Sequence, residues 1–231
     1  MRRRVARSNT TPSGPEKPVR IAEIWRYPVK SMAGERLDSV LLHPDGVEGD
    51  RVVHVRGGDG RVVTARRRPR LLGHRAVLGS DGEPLVDGRP WNTPDVARDV
   101  ELAAGPGARL FRHDGLERFD VLPLLVATDG GVAAFGHDRR RLRPNVLVGG
   151  VEGIAERSWE GKRLRMGECL IQLENLRERC VMTTVDPDTL ERDSGVLRRI
   201  VQEFGGRMAL DARVVRGGPL RVGDEVELLG G

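Results

Sequence analysis

The chain has 231 residues, which is enough for one large domain or two small ones around a proper hydrophobic core. Hydrophobic residues make up 38% and charged residues 32%, a balance that excludes a chain disordered throughout its length. The net charge of +5 permits an anionic ligand, but only 3% of the residues are aromatic, so platforms for stacking nucleic acid bases are scarce. We therefore expect a small-molecule phosphate and no nucleic acid.

The two cysteines, Cys169 and Cys180, are too few for a disulfide scaffold or a cysteine-rich zinc site. The arginines near the N-terminus are not followed by an apolar segment, so no signal peptide is expected. No apolar run approaches the roughly twenty residues that cross a bilayer. These features predict a cytoplasmic protein without a membrane partner.

The first elements in the chain are predicted to be strands. Residues 1–18 are rich in Arg, Ser, Thr, Pro and Gly, which predicts a disordered arm. Order is expected to begin with a strand over residues 19–27, and short strands separated by Gly and Pro continue to about Trp91. Strands at this spacing favour a barrel or sandwich over alternating βα units. Residues 92–120 show no clear period and are expected to be irregular.

The second half mixes strands with two helices. A strand and then a short helix are expected within residues 122–135, followed by a strand over residues 145–149 and a hairpin that turns at Gly167. The clearest helix covers residues 195–204, with Ser194 as its cap, Gly205 as its stop, and apolar residues including Val201 on its buried face. Two strands, residues 208–215 and 224–229, close the chain. The predicted fold class is α+β, dominated by strands.

Four short clusters have anion-binding character. They contribute an ammonium, hydroxyls, guanidinium groups, a carboxamide and a carboxylate: Lys30 and Ser31, then Arg51, then Thr128 and Asp129, then Arg143 and Asn145. Each cluster alone is more simply a solvated surface. No Walker loop or dinucleotide fingerprint is present, so any phosphate would be held by side chains and turns.

The stretch around Cys180 carries the most distinctive chemistry. The guanidinium of Arg179 is next to the thiol in sequence and would favour the thiolate, which is the form that attacks or ligates metal. The apolar residues that follow are typical of a strand end leading into the turn formed by Asp186, Pro187 and Asp188. Against this, a free cysteine is most often a small buried hydrophobic residue.

Taken together in chain order, these segments resemble a known family. The sequences Tyr-Pro-Val-Lys-Ser at 27–31, Gly-Asp-Arg at 49–51, Arg-Pro-Asn at 143–145 and Arg-Cys at 179–180, followed by Thr-Thr-Val-Asp-Pro-Asp-Thr at 183–189, are similar to those of the MOSC-domain proteins. The resemblance is strongest to the branch that carries an added N-terminal β-barrel. It spans roughly residues 19–230.

This resemblance implies a fold and a cofactor. The fold would be a MOSC-type β-barrel with flanking helices over residues 93–231, and a β-barrel-like N-terminal domain over residues 19–92. The cofactor would be the pyranopterin molybdenum cofactor, with Cys180 as both the catalytic residue and the thiolate ligand of molybdenum. Its phosphate and pterin would be held by a set of side chains: Lys30, Ser31, Arg51, Arg143, Asn145 and Arg179. Thr128 and Asp129 would lie near the metal or the pterin.

The implied activity is the two-electron reduction of N-hydroxylated or N-oxide compounds. The sequence contains no haem, flavin or iron–sulfur motif, and no pyridoxal phosphate is expected, so a separate electron-donor protein is implied. Sulfur transfer through a persulfide on Cys180 and a non-catalytic carrier of the cofactor are the two alternatives. The simplest alternative is a strand-rich domain with a structural cysteine.

Overall fold

The computed structural model describes residues 18–113 and 115–230. The expected disordered arm therefore falls almost entirely outside the described residues. Within them the strand-dominated α+β class is confirmed. The described part contains seventeen strands: β1 Arg20–Arg26, β2 Glu35–Leu37, β3 Ser39–His43, β4 Gly46–Val47, β5 Val53–Arg56, β6 Val62–Val63, β7 Ala76–Leu78, β8 Pro84–Val86, β9 Arg89–Pro90, β10 Arg109–Arg112, β11 Leu124–Thr128, β12 Val146–Gly149, β13 Arg163–Met166, β14 Cys169–Glu178, β15 Arg207–Arg216, β16 Gly218–Arg221 and β17 Val226–Leu229. It also contains three α-helices: α1 Pro94–Ala104, α2 Asp129–Phe135 and α3 Ser194–Phe204.

One eight-stranded sheet forms the larger half of the molecule. Its strand order is β17-β13-β14-β15-β11-β12-β1-β2, and β11 and β12 are parallel. The N-terminal strand β1 pairs with β12, so the first strand of the chain lies inside this sheet. Alternating buried residues such as Leu164, Ile171 and Leu210 form its core, as expected for strands with one buried face.

A second, smaller core lies beside the large sheet. It is built from three-stranded sheets, β10-β5-β6 and β7-β8-β9, and from α1, whose Val96 and Val100 are fully buried against them. The proposed division of the chain at residues 92 and 93 stays a prediction. Side chains from α1 nevertheless pack in this second core. None of the helices in the described residues is long and apolar enough to span a membrane.

The structure corrects the expectation of an irregular segment at residues 92–120. Helix α1 occupies much of it, beginning with Thr93 in an extended conformation at the N-cap and Pro94 in the first turn. Proline is favoured at that position because its fixed φ suits a helix and its missing N–H is not needed there. The Thr-Pro pair, followed by apolar residues at i, i+4 spacing, is the sequence feature that indicates this helix.

Three further expectations are also corrected. The apolar run after Cys180 is not a strand end, since β14 ends at Glu178. The run forms a 3₁₀ helix, Val181–Thr184. The cap of α3 is Asp193, whose carboxylate accepts the N–H of Gly195, while Ser194 is inside the helix. Val201 is 56% exposed and is not part of the buried face.

One additional strand was missed between the two closing strands. Residues 218–221 form β16, which pairs with β3 and not with either closing strand. The Gly-Gly-Pro sequence at 217–219 is typical of a loop, so no strand was expected between the two closing strands. Pro219 is tolerated because β16 is at the edge of its sheet, where a missing backbone donor costs little.

Buried His54 gives the smaller core a defined pH dependence. The imidazole is 3% exposed, and its Nε2 accepts a hydrogen bond of 2.9 Å from Nε of Arg56, which only the neutral ring can do. Burial, reinforced by the charge of Arg56 and by His113, lowers the pKa of His54 from 6.5 to about 4. Below pH 6.5 the unfolded chain therefore binds a proton that the folded chain does not, and stability falls as the pH drops toward 4.

We expect the free energy of unfolding to lose up to about 3 kcal/mol between pH 6.5 and pH 4 through this one group. Urea titrations at several pH values should show that His54→Gln, which keeps an acceptor for Arg56, has a shallower pH dependence than the wild type. His43, whose side chain is 41% exposed, provides the matched control, and we expect His43→Gln to follow the wild-type curve. Identical slopes for all three proteins would contradict the assignment.

Candidate functional site

A single cleft collects most of the residues that the sequence singled out. Its volume is about 100 Å³. Seven of the nine predicted site residues line it: Lys30, Ser31, Arg51, Arg143, Asn145, Arg179 and Cys180. These residues come from four separated segments, and each follows or precedes a strand of the two cores. We call this cavity the basic cleft.

Backbone hydrogen bonds fix the first two segments to each other. The backbone N–H of Tyr27 donates to Oδ1 of Asp50 at 2.7 Å, and the N–H of Arg51 donates to the carbonyl of Tyr27 at 2.8 Å. The N–H of Lys30 donates to the carbonyl of Val53 at 2.8 Å. The turn after β1 is thereby fixed against the turn before β5, and the side chains of Lys30 and Arg51 line the same cleft.

Asn145 fixes the third segment to the same centre. Its Nδ2 donates to Oδ2 of Asp50 at 3.1 Å and to the carbonyl of Trp25 at 3.3 Å, while its Oδ1 accepts the N–H of Leu125 at 3.2 Å. Both donors of the carboxamide are therefore used within the protein. Asn145 lines the cleft, but its geometry is that of a residue that holds the walls together.

Three cleft residues have unusual backbone conformations. Ser31, Arg51 and Arg143 have φ values of 71°, 56° and 56°, in the left-handed region that side chains other than glycine seldom adopt. The described residues include six such non-glycine positions, so half of them line this one cleft. Strain of this kind persists only where the surrounding structure imposes it, and it is concentrated at functional sites.

The cleft has a strong excess of positive charge. Two carboxylates, Asp120 and Glu178, line it. The cationic side chains that line it number seven: Lys30, Arg51, Arg66, Arg141, Arg143, Arg177 and Arg179. Enclosure between protein walls strengthens the field of such a group of charges. The site is therefore suited to an anion that carries more than one charge.

Two guanidinium groups in the cleft lack full compensation. Arg143 lies over the ring of Tyr27 at 4.2 Å and makes no hydrogen bond or ion pair to any described residue. Arg179 donates from Nη2 to the carbonyl of Leu142 at 2.8 Å, but its buried Nε has no partner in the described chain. Burial lowers the pKa of each of these two arginines to about 10, so both remain charged at neutral pH. An anionic ligand would supply the missing interactions.

The carboxylate of Asp120 is paired with two of the cations in the basic cleft. Its Oδ1 is 2.8 Å from Nζ of Lys30, and its Oδ2 is 2.7 Å from Nη2 of Arg66. Burial opposes ionisation of this carboxyl, but the contacts with Lys30 and Arg66 dominate and lower the pKa of Asp120 below its ordinary value. The carboxylate thus bridges two of the cations that the cleft offers to a ligand.

The two thiols occupy contrasting environments. Cys180 is partly exposed in the cleft, and the guanidinium groups of Arg66 and Arg179 interact with it. Its backbone carbonyl accepts the hydroxyl of Thr183 at 2.9 Å, which fixes the start of the 3₁₀ helix. Cys169 is fully buried in the large core, and burial raises its pKa to about 11. Cys180 is therefore the accessible thiol of the pair.

Cys180 also opens onto a second cavity, which we call the side cavity. Its volume is about 600 Å³, and it shares Arg66, Asp120, Arg177 and Arg179 with the basic cleft. Its remaining wall includes Asp211, which is 1% exposed.

Among residues 18–113 and 115–230, no group of three or more His, Cys, Asp or Glu side chains is arranged to hold a metal ion.

Thr128 and Asp129 lie outside the basic cleft. The hydroxyl of Thr128 accepts the N–H of Gly131 at 2.9 Å, which caps α2, and donates to Glu156 at 3.0 Å. The carboxylate of Asp129 accepts backbone N–H groups from residues 130, 150 and 151 at 2.8 to 3.0 Å. Both side chains are engaged in shaping the turn between β11 and α2. Sequence reasoning missed Arg66, Arg141 and Arg177 as cleft residues, because the arginine-rich composition hid them. It also missed Asp120, which belongs to no recognisable motif.

Removal of the Asp120 charge should strengthen anion binding in the basic cleft. In Asp120→Asn the negative charge beside Lys30 and Arg66 is lost, and we expect inorganic phosphate to bind about fivefold more tightly, which corresponds to about 1 kcal/mol. Isothermal titration calorimetry on the metal-free protein measures this directly.

A matched variant controls for the change in net charge. Glu174 pairs with Arg213 at 2.6 Å and is absent from the cleft walls, so Glu174→Gln should leave phosphate affinity unchanged. Weaker binding by Asp120→Asn would show that the carboxylate instead holds the two cations in their binding positions.

Comparison with known proteins agrees with this architecture. The family model for the MOSC domain matches residues 132–227, and the model for the MOSC N-terminal beta barrel domain matches residues 18–100. The human mitochondrial amidoxime-reducing component 1 is 25% identical across 73% of this chain and 67% of its own length. The corresponding mouse protein is 24% identical across 91% of this chain and 82% of its own length.

A solved structure shares the fold. The YuaD protein of Bacillus subtilis superposes with a TM-score of 0.51 at 15% sequence identity, covering 92% of this chain and 96% of that one. The two matched family models together cover more than half of the chain. The chain therefore belongs to the MOSC-domain proteins that carry an N-terminal MOSC beta barrel domain.

Proposed function

We propose that this protein is a molybdenum-cofactor enzyme that reduces N-hydroxylated or N-oxide compounds, with Cys180 as the protein ligand of molybdenum. The observation that carries the proposal is the accessible Cys180 thiol in a cleft lined by seven cationic side chains. A soft thiolate suits molybdenum, and clustered cations suit the phosphate of a pyranopterin. The names of the human and mouse relatives, amidoxime-reducing components, support the choice of reaction.

The residues of the cleft fit such a cofactor. Arg143 has no hydrogen-bonding partner of its own in the described chain, and Arg179 has a buried Nε without one. We assign these two, with Lys30, Ser31 and Arg51, to the phosphate and pterin. Asn145 would act by holding Asp50 and the adjoining backbone in place, since its amide is already bonded there. Thr128 and Asp129 are not assigned to the cofactor.

The bound cofactor would supply the two-electron redox chemistry. The side chains of this chain would bind and orient it, and the guanidinium groups of Arg66 and Arg179 line the cleft beside Cys180. Reduction of an N-hydroxy compound to the amine consumes two electrons and two protons and releases water. A separate electron-donor protein would provide the electrons.

The side cavity offers a route for the substrate. It reaches Cys180 from outside the group formed by Lys30, Ser31, Arg51 and Arg143, so a small molecule could approach while the cleft holds the cofactor. Asp211 in its wall is a candidate proton carrier. Burial raises the pKa of this carboxyl against the opposing effect of Arg177 and Arg179, and its Oδ2 has no partner in the described chain.

A second candidate function is sulfur transfer. The same accessible thiol, flanked by two guanidinium groups, could carry a persulfide to a small molecule. This function requires no bound metal. A third candidate, a carrier of the cofactor without turnover, uses the same binding residues. A cytoplasmic location remains a prediction.

The decisive experiment compares the two cysteines. Protein purified from a host that makes the cofactor should contain molybdenum near one equivalent by elemental mass spectrometry, with pterin in the same proportion. Cys180→Ser should lose most of the metal or all of the benzamidoxime reductase activity measured with a chemical reductant. Cys169→Ser removes the other thiol, which is buried away from the cleft, and should keep both metal and activity.

The outcomes separate the candidates. Stoichiometric molybdenum with no turnover on any N-hydroxylated compound would favour the carrier. Folded protein without metal or pterin, but with a persulfide on Cys180 detectable by mass spectrometry, would favour sulfur transfer. A Cys180→Ser protein with full metal content and full activity would refute the ligand role.

A further inference from the structure

A third cavity lies on the other side of Arg143 from the basic cleft. Its volume is about 260 Å³, and apolar side chains make up much of its wall: Trp25, Tyr27, Leu72, Met182, Val185 and Pro187. It shares Arg141, Arg143 and Met182 with the basic cleft, but Cys180 does not line it. We call it the arginine-rimmed cavity. Neither the cofactor nor the substrate has been assigned to it.

Trp25 and Tyr27 form a stacked aromatic pair in the wall of this cavity. The rings of Trp25 and Tyr27 are nearly parallel, at 15°, with their centres 6.4 Å apart. Tyr27 is 3% exposed, and its hydroxyl donates to the carbonyl of Pro144 at 3.1 Å, which fixes the ring. Walls of this kind favour a planar ligand that can lie against aromatic and aliphatic surfaces.

The charge around this cavity has a single sign. Five arginines line it, at positions 36, 75, 140, 141 and 143, and no described Asp or Glu does. Arg140 bonds to Asp188 at 2.7 Å, and Arg141 bonds to Asp186 at 2.8 Å. Those two guanidinium groups are therefore at least partly neutralised by carboxylates that lie outside the lining.

Arg75 is the available cation of this rim. Its side chain makes no hydrogen bond or ion pair to any described residue. The nearby Asp87 is already occupied, because its carboxylate accepts the backbone N–H of Arg75 at 2.8 Å and contacts the ring of His74 at 2.8 Å. An anion that enters the cavity would find in Arg75 a guanidinium with all of its donors unused.

Size and chemistry together define the ligand class. A dry cavity of about 150 Å³ holds one benzene ring, so 260 Å³ accommodates a larger aromatic system. A small inorganic anion would leave the apolar wall uncovered, and a neutral hydrocarbon would make no use of the Arg75 guanidinium. We propose that the arginine-rimmed cavity is a second ligand site, which binds a planar aromatic carboxylate with its ring against Trp25 and its carboxylate on Arg75. The site is independent of the proposed function of the basic cleft.

Calorimetric titration of the purified protein with 2-naphthoate tests the proposal. We expect saturable binding to the wild type, and binding about tenfold weaker in Arg75→Gln, because a charged hydrogen bond is lost. Arg70→Gln has the same change in net charge, and Arg70 is an exposed residue of the 3₁₀ helix Pro69–Gly73, five positions before Arg75, that does not line the cavity. It should bind like the wild type. Both positions are exposed, so both variants are expected to fold, which thermal unfolding will verify.

Two further titrations locate the ligand and identify the chemistry it uses. The neutral analogue 2-naphthamide should bind about tenfold more weakly than 2-naphthoate to the wild type. Saturating inorganic phosphate should leave the affinity for 2-naphthoate within about twofold. Absence of 2-naphthoate binding, equal binding by Arg75→Gln, equal binding of the amide, or displacement by phosphate would each overturn the proposal.

Discussion

The buried carboxylate of Asp50 is the interaction on which the basic cleft depends. The residue is fully buried, and its Oδ1 accepts the backbone N–H of Tyr27 at 2.7 Å. Its Oδ2 accepts Nδ2 of Asn145 and pairs with the guanidinium of Arg51. A carboxylate removed from water in this way is stable only when both oxygens are bonded, so the fold must keep all three partners in place. Three of the four cleft segments are therefore held at one point.

The polar side chains around Asp50 are of two kinds: some are fully bonded within the protein, and others remain available to a ligand. Asp50 and Asn145 use their polar atoms on each other and on the backbone, whereas Arg143 stays without a hydrogen-bonding partner in the described chain, only 4.2 Å from the Tyr27 ring. Arg51 and Arg143 have left-handed backbone conformations. We attribute these to the sharp turns that place Asp50 and Asn145 in the interior and the neighbouring arginine side chains in the cleft.

The sequence predicted the parts of the cleft whose chemistry is local. Lys30, Arg51, Arg143 and Cys180 were identified because cations and a thiol follow or precede strands in short segments, and the structure brings them together. Their role as cofactor and metal ligands stays a prediction. Asn145 lines the cleft, and its expected role toward the cofactor stays a prediction. Its bond to Asp50 could not be seen in the sequence, because only the tertiary structure brings the two side chains together.

Other features could not be predicted, because they depend on distant residues. Thr128 and Asp129 had suitable chemistry, but their polar atoms are bonded to α2 and to residues 150 and 151. Asp120 reaches Lys30 across 90 positions of sequence, and only the fold makes them neighbours. Helix α1 could have been predicted from Thr93 and Pro94, but its apolar face is short. In the smaller core it packs with the β7-β8-β9 sheet, whose strands of two or three residues are too short to show a clear pattern in the sequence.

The Tyr27–Arg143 pair links the two ligand sites that we assign. The Tyr27 hydroxyl is bonded to the carbonyl of Pro144, and burial, partly offset by Arg143 and Arg51, raises the pKa of Tyr27 to about 12, so the ring stays neutral. A neutral ring can lie beneath a guanidinium without neutralising it, and Arg143 therefore keeps its charge while lining both cavities. An anion on either side gains from this charge. Because one guanidinium cannot direct all five of its donors to both sides, a phosphate-bearing cofactor that takes Arg143 leaves Arg75 as the principal cation for the arginine-rimmed cavity.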